Sequence, residues 1–352
     1  MITNDEIPIL SFAIPTWNRA EELEECLKNI VAEIQRSNAN VEIFVSDNGS
    51  TDSTPQVLEK YSQKYNFIRY SRNERNLSFD LNLINAIENS RGKYVWTFSD
   101  DDIIAEGSIN KIIDVINKYD PSYIALNYDE CIILREKKGL CKKIKPGKIT
   151  KYNYKELSSL YYNLDLKELL EKEFLRFTFL SINIFKKSSL NLNLVKANLT
   201  KIKNWSHLYM IAQATNNGGG LILPFICVHQ RVDNSNAKIN VFLKILPNTL
   251  QFIFKEYNIE ETYQENFFKI YKKMYLSFLK FFGIILDLKT NREKISLDDI
   301  DERFRNGYIS FSIKYIYNLI PRSFAVFIIK CYRFYIGIGF NINDKEKDIR
   351  FD

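Results

Sequence analysis

The first 120 residues of this chain alternate between short apolar runs and amphipathic segments, and this pattern constrains the fold more than any other feature. Four apolar runs have the length and composition of strands. Each is followed by a turn signal and then by apolar residues at helical spacing. Such alternation predicts an α/β fold, with a mostly parallel sheet sandwiched by helices. The four runs are residues 9–14, 41–45, 67–70 and 94–98.

Three consecutive aspartates follow the fourth run, in the sequence Ser-Asp-Asp-Asp at residues 99–102, which we call the acid cluster. Like charges side by side are unfavourable unless a cation or solvent compensates them. Because loops after parallel strands share one edge, the acid cluster should converge with Thr16, Arg19 and Asp47. Carboxylate ligands there suit Mg²⁺ or Mn²⁺, which would carry a diphosphate. The alternative is a solvated turn whose aspartates cap the next helix.

Composition excludes several classes of function. A net charge of +6 over 352 residues allows an anionic ligand or a membrane surface, but it is not typical of a nucleic-acid binder. The five cysteines form no CxxC pair, so neither a zinc site nor a disulfide framework is expected. No GxGxxG or GxxxxGK[ST] motif follows the first run, which disfavours dinucleotide and P-loop enzymes. Residues 1–8 are polar and acidic, so we expect no signal peptide and a cytoplasmic protein.

Four sequence blocks, in their order and spacing, resemble the family-two glycosyltransferases. They are residues 14–19 (IPTWNR), residues 45–52 (VSDNGSTD), Asn76 and the acid cluster. The resemblance is strong over residues 8–120 and weaker to about 235. It implies the A-type glycosyltransferase fold, with a Rossmann-like nucleotide-binding half, and inverting transfer from a nucleotide sugar. The acid cluster looks like the branch that builds bacterial surface polysaccharides, including abequosyltransferase-like enzymes.

The resemblance also implies roles for individual residues. Asp47 resembles the aspartate that accepts a hydrogen bond from a pyrimidine ring, although an Asx turn would also explain it. Asp100 matches the acid that reaches the ribose or the metal, and Asp102 matches the metal ligand. Arg19 is a candidate for the base or the phosphates, or else a surface arginine at a helix start. The donor-site candidates are Pro15, Thr16, Arg19, Asp47, Asn76, Asp80, Asp100, Asp101 and Arg231, and the metal candidates for Mg²⁺ or Mn²⁺ are Asp100 and Asp102.

One position departs from the pattern of this family. An Asn-x-Gly pattern is common before the fourth strand, whereas this chain has Asn76-Leu77-Ser78. The missing glycine puts a close backbone approach at Ser78 in doubt. Asn76 and Asp80 remain pocket candidates, with helix capping as the alternative.

An inverting transfer needs a general base to deprotonate the acceptor hydroxyl. The family commonly uses an aspartate in a Glu-Asp pair, and residues 175–235 contain no such pair. His207 lies at about the expected position, opening an apolar helix, and imidazole is chemically competent as a base. The alternative is a histidine that packs or caps at a helix start. Asp80 and Asp233 are fallback carboxylates.

The resemblance and the composition together predict the domain organisation. Residues 1–238 form the glycosyltransferase domain, with a nucleotide-sugar half at 8–120 and an acceptor half at 121–238, and residues 239–352 form a helical C-terminal extension. Between residues 303 and 343 there are six Lys or Arg and no Asp or Glu, interleaved with aromatic residues. This pattern favours an anionic membrane surface, hence a peripheral protein at the inner face of the cell membrane. A helical cap or an oligomer interface is the alternative.

We therefore expect a metal-dependent inverting glycosyltransferase that extends a bacterial surface glycan, such as capsule or O-antigen. The expected donor is a nucleotide sugar, with UDP-sugar favoured, and the expected acceptor is a lipid-linked glycan. No nucleic-acid partner is expected. Two alternatives stay open. A non-catalytic nucleotide-sugar-binding assembly protein would explain the missing Glu-Asp pair. A sugar nucleotidyltransferase would use acids on a related sheet, but it would need a basic Gly-rich loop that the Pro15-Thr16 turn does not provide.

Overall fold

The structure is a computed structural model that describes residues 7–135, 141–146, 161–173, 177–231 and 246–275. The chain divides into two compact units, Met1–Asp233 and Asn234–Asp352. The expected division of the first unit into a donor half and an acceptor half stays a prediction. The basic segment 303–343 and the fallback carboxylate Asp233 lie outside the described residues.

The described part of the first unit consists of strands and helices in the predicted alternation, followed by a less regular half. The strands are β1 (Leu10–Thr16), β2 (Val41–Asp47), β3 (Ile68–Arg72), β4 (Tyr94–Thr97), β5 (Ile103–Ile104), β6 (Tyr123–Arg135), β7 (Cys141–Pro146), β8 (Tyr161–Leu164), β9 (Asn183–Lys186) and β10 (Gly220–Arg231). The helices are α1 (Ala20–Ser37), α2 (Thr54–Lys64), α3 (Phe79–Asn89), α4 (Ser108–Tyr119), α5 (Leu166–Glu173), α6 (Leu192–Ala197) and α7 (Ser206–Asn216).

These strands form one mixed sheet flanked by helices, which confirms the predicted α/β class. Eight strands follow the order β3-β2-β1-β4-β9-β6-β10-β5, while β7 pairs with β6 and β8 pairs with β10. Strands β3, β2, β1 and β4 are mutually parallel. Strand β9 is antiparallel to both β4 and β6, so β6 runs in the same direction as β4, and β10 is parallel to β6. The carboxyl ends of six strands therefore meet at one edge of the sheet.

Apolar burial holds the parallel strands in place. Every residue of β1 and β2 is buried, as expected for strands covered on both faces. Helix α1 buries an apolar stripe at helical spacing that includes Leu23, Leu27 and Ile30. The rings of Phe12 and Trp96 stack with centroids 4.7 Å apart at the centre of the sheet.

The structure differs from the predicted elements in two places. The apolar run at residues 179–185 is typical of one strand, but it begins as a 3₁₀ turn at Leu180–Ile182 and becomes β9 only at Asn183. The acid cluster leads first into β5, a two-residue strand that pairs with β10, and only then into α4. Both features depend on partners that are distant in the sequence, so local periodicity does not indicate them.

The described part of the second unit is helical, in agreement with the predicted extension. It comprises α8 (Leu246–Glu256) and α9 (Glu261–Tyr275). Phe254 on α8 packs edge-on against Phe267 on α9, with ring centroids 5.3 Å apart. Across the described ranges, no helix combines the length and the hydropathy needed to cross a bilayer.

Candidate active site at the sheet edge

The carboxyl ends of β1, β2 and β4 bring three predicted site residues together. The Thr16 hydroxyl donates to Asp100 Oδ2 at 2.7 Å, which joins the end of β1 to the acid cluster. The backbone N–H of Asn48, directly after Asp47, donates to the Thr16 carbonyl at 2.9 Å. Pro15 is the Cα partner of Ser46 and is buried within β1. The convergence of Thr16, Asp47 and the acid cluster follows from the parallel register.

Arg19 compensates part of the negative charge of the acid cluster. Its Nε lies 3.2 Å from Asp100 Oδ1, and its Nη2 forms a short ion pair with Asp101 Oδ2. Asp101 also accepts a hydrogen bond from the Ser99 hydroxyl at 2.6 Å. The Arg19 side chain is 34% exposed, so the guanidinium lies between the buried acids and solvent.

Asp102 has different surroundings. The Ser181 hydroxyl donates to its Oδ2 at 2.5 Å, and the backbone N–H of Arg231 donates to its Oδ1 at 3.0 Å. Both donors are neutral groups from strands or turns far along the chain. The Ser181 oxygen also accepts from the backbone N–H of Ser99 at 2.8 Å, so one hydroxyl ties Asp102 to the start of its own loop.

Burial makes the charged forms of these acids unfavourable. It raises the pKa of Asp100 to about 7, against the opposing effect of Arg19. It raises the pKa of Asp102 to about 8, reinforced by the charge of Asp101 and opposed by the hydrogen bond from Ser181. A cation bound at this point would stabilise both carboxylates in their charged forms.

The donor set fits a divalent cation of the Mg²⁺ or Mn²⁺ type. Across the described residues, no group of three or more His, Cys, Asp and Glu side chains is arranged as a metal site. Mg²⁺ is, however, usually held by one or two carboxylates together with substrate phosphates and water. Asp100 and Asp102 are two such carboxylates, both buried to 5% exposure or less.

Asp47 is fully buried at the end of β2 and has one oxygen that no hydrogen bond occupies. Its Oδ1 accepts from the Ser50 backbone N–H at 3.0 Å, which is the Asx-type turn that the sequence also allowed. Its Oδ2 lies 3.4 Å from Arg72 Nε but has no hydrogen-bond partner within the described part of the chain. The turn and the ligand interpretations are therefore compatible, because each uses a different oxygen.

A network of amide side chains holds the loop before α3 against this edge. Asn48 donates to Asn76 Oδ1 at 2.9 Å and accepts from the Leu77 backbone N–H at 3.0 Å. Asn82 donates to the carbonyls of Thr16 and Ser46 at 3.3 and 2.9 Å. Asn76 is thus tied to the β2 turn, beside the predicted donor site.

Ser78 has the backbone conformation that a glycine would favour. Its φ of 151° and ψ of 166° belong to a region that side chains other than glycine rarely adopt. Its carbonyl accepts from Asn48 Nδ2 at 3.3 Å, and its hydroxyl accepts from the Leu81 N–H at the start of α3. Serine therefore adopts here the backbone conformation for which the family commonly has glycine, and a close backbone approach to a donor stays a prediction.

Asp80 has a structural contact that the sequence did not indicate. Its carboxylate oxygens accept from the backbone N–H groups of Asn204 and Ser206, at 2.7 and 3.2 Å. These groups are at the start of α7, so an acid on α3 caps another helix 126 positions away. Burial raises the pKa of Asp80, and these hydrogen bonds oppose the shift.

His207 lies in the first turn of α7 and is 3% exposed. Its ring packs beside Trp205, with ring centroids 5.6 Å apart. Burial lowers the pKa of His207 to about 4, and neither ring nitrogen has a hydrogen-bond partner within the described part of the chain. A base has to reach the hydroxyl that it deprotonates. The catalytic role of His207 stays a prediction, and its enclosure in this structure weakens that prediction.

Arg231 meets the acid cluster through its backbone and not through its guanidinium. The guanidinium is paired with Glu25 on α1, with Nη2 2.5 Å from Oε2, and its side chain is 5% exposed. A diphosphate contact by this side chain would require the pair with Glu25 to open. Glu25 and Ser181 are the residues around the cluster that sequence analysis missed, and no local pattern identifies either of them.

Comparisons with known proteins agree with this fold. Residues 11–183 match the family model described as glycosyl transferase family 2. The abequosyltransferase RfbV of Salmonella typhimurium is 41% identical over 102 residues, which cover 29% of this chain and 30% of that protein. The GalNAc(5)-diNAcBac-PP-undecaprenol β-1,3-glucosyltransferase of Campylobacter jejuni is 27% identical over 177 residues, which cover 47% of this chain and 54% of that protein.

The chain therefore spans between about a third and about half of the length of these curated relatives. Among solved structures, S. aureus TarS in complex with UDP-GlcNAc superposes with a TM-score of 0.54, covering 97% of each chain at 16% identity. At that identity the likeness shows the fold alone, and that fold is the predicted one.

Proposed function

From residues 11–183, which belong to glycosyltransferase family 2, we propose that this chain transfers a sugar from a nucleotide diphosphate sugar to a hydroxyl of a growing bacterial surface glycan. The observation that carries the proposal is the set of polar residues that converge at the edge of the sheet. There Thr16, Asp47 and two buried carboxylates of the acid cluster converge from three parallel strands. Ligands of open α/β sheets bind at this edge.

In this proposal the donor occupies the ends of β1, β2 and β4. Asp47 receives the imide N–H of a pyrimidine on Oδ2, its oxygen without a hydrogen bond, because a carboxylate is the stronger kind of acceptor. UDP is the favoured nucleotide, and TarS, a protein of the same fold, was solved with UDP-GlcNAc. The contacts of Asn76 with the β2 turn support a place beside the donor, and Arg19 turns from the acids towards the phosphates.

Asp100 and Asp102 would hold Mg²⁺ or Mn²⁺, which supplies charge stabilisation to the departing diphosphate when it is bound. The chain's own residues prepare this position. Ser181 and the Arg231 backbone orient Asp102, while Thr16 and Arg19 orient Asp100. Two further contacts hold the elements around the site. Asp80 accepts from the backbone at the start of α7, and the Arg231 guanidinium pairs with Glu25 on α1.

The acceptor hydroxyl then attacks the anomeric carbon from the face opposite the diphosphate, which inverts the configuration. The Campylobacter relative is named for transfer onto a PP-undecaprenol-linked saccharide. A lipid-linked acceptor would bring this chain to the inner face of the membrane. The six basic residues of segment 303–343 give it a means to bind anionic lipid there.

Isothermal titration of UDP, with and without Mn²⁺, tests the proposal. We expect UDP to bind the wild type more tightly with Mn²⁺, and Asp102→Asn to reduce that metal-dependent affinity about tenfold or more. Asp114→Asn is the matched control, because Asp114 is an exposed aspartate on α4 outside the sheet edge. Asp47→Asn should weaken the binding of UDP both with and without metal, because it replaces a carboxylate, the stronger kind of acceptor, by a neutral amide.

Three results would contradict the proposal in different ways. Equal loss in Asp114→Asn and Asp102→Asn would remove the acid cluster from the site. Binding of CDP or dTDP instead of UDP would contradict only the choice of nucleotide and leave the rest of the proposal standing. The failure of every nucleoside diphosphate to bind would overturn the glycosyltransferase function and leave the fold without an assigned ligand.

A further inference from the structure

A carboxylate and an imidazole pair across the strands next to the acid cluster. His229 Nδ1 lies 2.5 Å from Asp129 Oδ1. The two residues are Cα partners in the parallel pairing of β10 with β6, so the backbone holds them side by side. Their side chains are 31% and 20% exposed, which makes the imidazole accessible from solvent. His207, the other histidine of the chain, is 3% exposed.

The sheet register puts this pair at the same level as the acid cluster. Thr97 of β4 is level with Asn183 of β9, which is level with Ala125 of β6. Asp129 is four residues beyond Ala125, and the cluster begins two residues beyond Thr97. Because β4, β6 and β10 run in the same direction, the acid cluster and the His229–Asp129 pair extend from the same edge.

Two backbone contacts place strand β10, which carries His229, beside the cluster. His229 is the Cα partner of Ile103, the residue that follows Asp102, in the antiparallel pairing of β10 with β5. The N–H of Arg231, two residues after His229, donates to Asp102 Oδ1 at 3.0 Å. Neighbouring strands are about 5 Å apart, so His229 lies about one strand spacing from Ile103, the residue that follows the acid cluster.

The contact with Asp129 suits one tautomer of the ring. In the neutral tautomer whose Nδ1–H donates to the Asp129 carboxylate, Nε2 carries the lone pair and can accept a proton. A base oriented by a third group is the arrangement that activates a hydroxyl. Asp129 would also stabilise the imidazolium that forms.

We propose that His229, positioned by Asp129, is the general base of the sugar transfer, an inference that rests on the function proposed above. As the acceptor oxygen bonds to the anomeric carbon, its proton moves to His229 Nε2. The bond between the anomeric carbon and the diphosphate oxygen breaks, and its electron pair leaves with the nucleoside diphosphate. Water in place of the acceptor gives hydrolysis by the same steps.

The test measures nucleoside diphosphate release from a panel of UDP-, CDP-, dTDP- and GDP-linked sugars, with water as the acceptor, using the full chain. With the sugar that the wild type hydrolyses, His229→Ala should lower kcat by about 100-fold or more and leave KM near its wild-type value. Added imidazole should restore part of the rate, which a structural role would not permit. Asp129→Asn should lower kcat less, and imidazole should not restore it.

Two control variants make the outcome decisive. Gln230→Ala changes the adjacent residue, whose side chain points to the other face of β10, and should keep the wild-type rate. His207→Gln tests the rival base. A loss of kcat in His207→Gln with none in His229→Ala would overturn the inference, and so would a loss in His229→Ala that imidazole leaves unchanged while UDP affinity falls.

The two proposals fail in distinguishable ways. If no sugar nucleotide of the panel is hydrolysed and none binds, the glycosyltransferase function fails and the assignment of His229 falls with it. If the wild type hydrolyses one of them and His229→Ala does so equally well, the function stands and only the base is wrong.

Discussion

The burial of Asp100 and Asp102 makes the charged forms of both side chains unfavourable. Both are almost completely buried, while one arginine and three neutral donors provide their described contacts. Burial raises the pKa values of both acids, to about 7 and about 8. Perturbed carboxylates of this kind concentrate at functional sites, where a ligand or a cation completes their surroundings.

These shifts predict how stability changes with pH. The unfolded chain releases the same protons near pH 4, so the folded state binds more protons between about pH 4 and about pH 8. The free energy of unfolding should therefore fall as the pH rises through this window, in urea titrations of metal-free protein. The fall should be clearest above about pH 6.5, because below it the lowered pKa of His207 has the opposite effect. Asp102→Asn should make the fall smaller, and Asp114→Asn should leave it unchanged. A free energy of unfolding that rises over the same window would contradict the burial of these acids.

Ser78 carries backbone strain that a glycine would remove. A side chain at its φ of 151° costs on the order of 1–3 kcal/mol, whereas the loss of its hydroxyl cap to glycine costs only a few tenths. We expect Ser78→Gly to raise the free energy of unfolding by about 1 kcal/mol in urea titrations. Ser78→Ala is the matched control, because it loses the cap and keeps the strain, and it should lower the free energy by about 1 kcal/mol. A Ser78→Gly variant less stable than Ser78→Ala would refute the strain.

Helices α3 and α7 are joined through Asp80. The start of α7 carries unpaired backbone N–H groups, and Asp80 on α3 satisfies two of them from outside the helix. Asn204, whose φ is 64°, turns the chain into this contact. The position of α7, and with it the position of His207, therefore depends on an acid of α3.

Asp80→Ala should lower the free energy of unfolding by about 2–3 kcal/mol, because it leaves one buried and one half-buried N–H group without an acceptor. Asp165→Ala is a matched control. Asp165 caps α5 in an exposed capping box with Glu168, with a hydrogen bond of 2.8 Å from the Glu168 N–H. Water can replace that cap, so we expect a loss of about 1 kcal/mol or less. Equal losses of unfolding free energy in the two variants, measured by urea unfolding, would argue against a buried contact between Asp80 and the start of α7.

The whole chain combines a sheet-edge site in its first unit with a basic, aromatic segment in its second. Segment 303–343 lies outside the described residues, and its sequence favours a membrane surface. Its six Lys and Arg residues occur with no acidic residue. Each basic residue near an anionic surface contributes about 1 kcal/mol, an attraction that salt screens.

We expect the full chain to sediment with vesicles rich in phosphatidylglycerol and not with pure phosphatidylcholine vesicles, and high salt should release it. Changing Lys314, Arg322 and Lys330 together to glutamine should weaken the binding, since it removes half of the positive charge of the segment. Equal binding to both kinds of vesicle, or none to either, would leave an oligomer interface or a helical cap as the role of this segment.

The amino-acid sequence alone determined the alternation of strands and helices, because hydrophobic periodicity is a local property. It also determined that Thr16, Asp47 and the acid cluster meet, because parallel strands end at one edge. It located strand ends to within about two residues, as with β2, which continues two residues beyond the predicted run to Asp47. The missing glycine at Ser78 was visible, but the conformation that serine adopts there was not.

The tertiary structure decided which groups surround each acid. Ser181 and Arg231 reach Asp102 across 79 and 129 positions, and Asp80 reaches α7 across 126. These contacts depend on the strand order β4-β9-β6-β10-β5, in which one antiparallel strand, β9, separates two parallel sets. The same order enclosed His207 and left His229 beside Asp129. Local sequence patterns indicate the secondary structure that each segment prefers. The neighbours of a side chain, in contrast, depend on how segments distant in the sequence pack together.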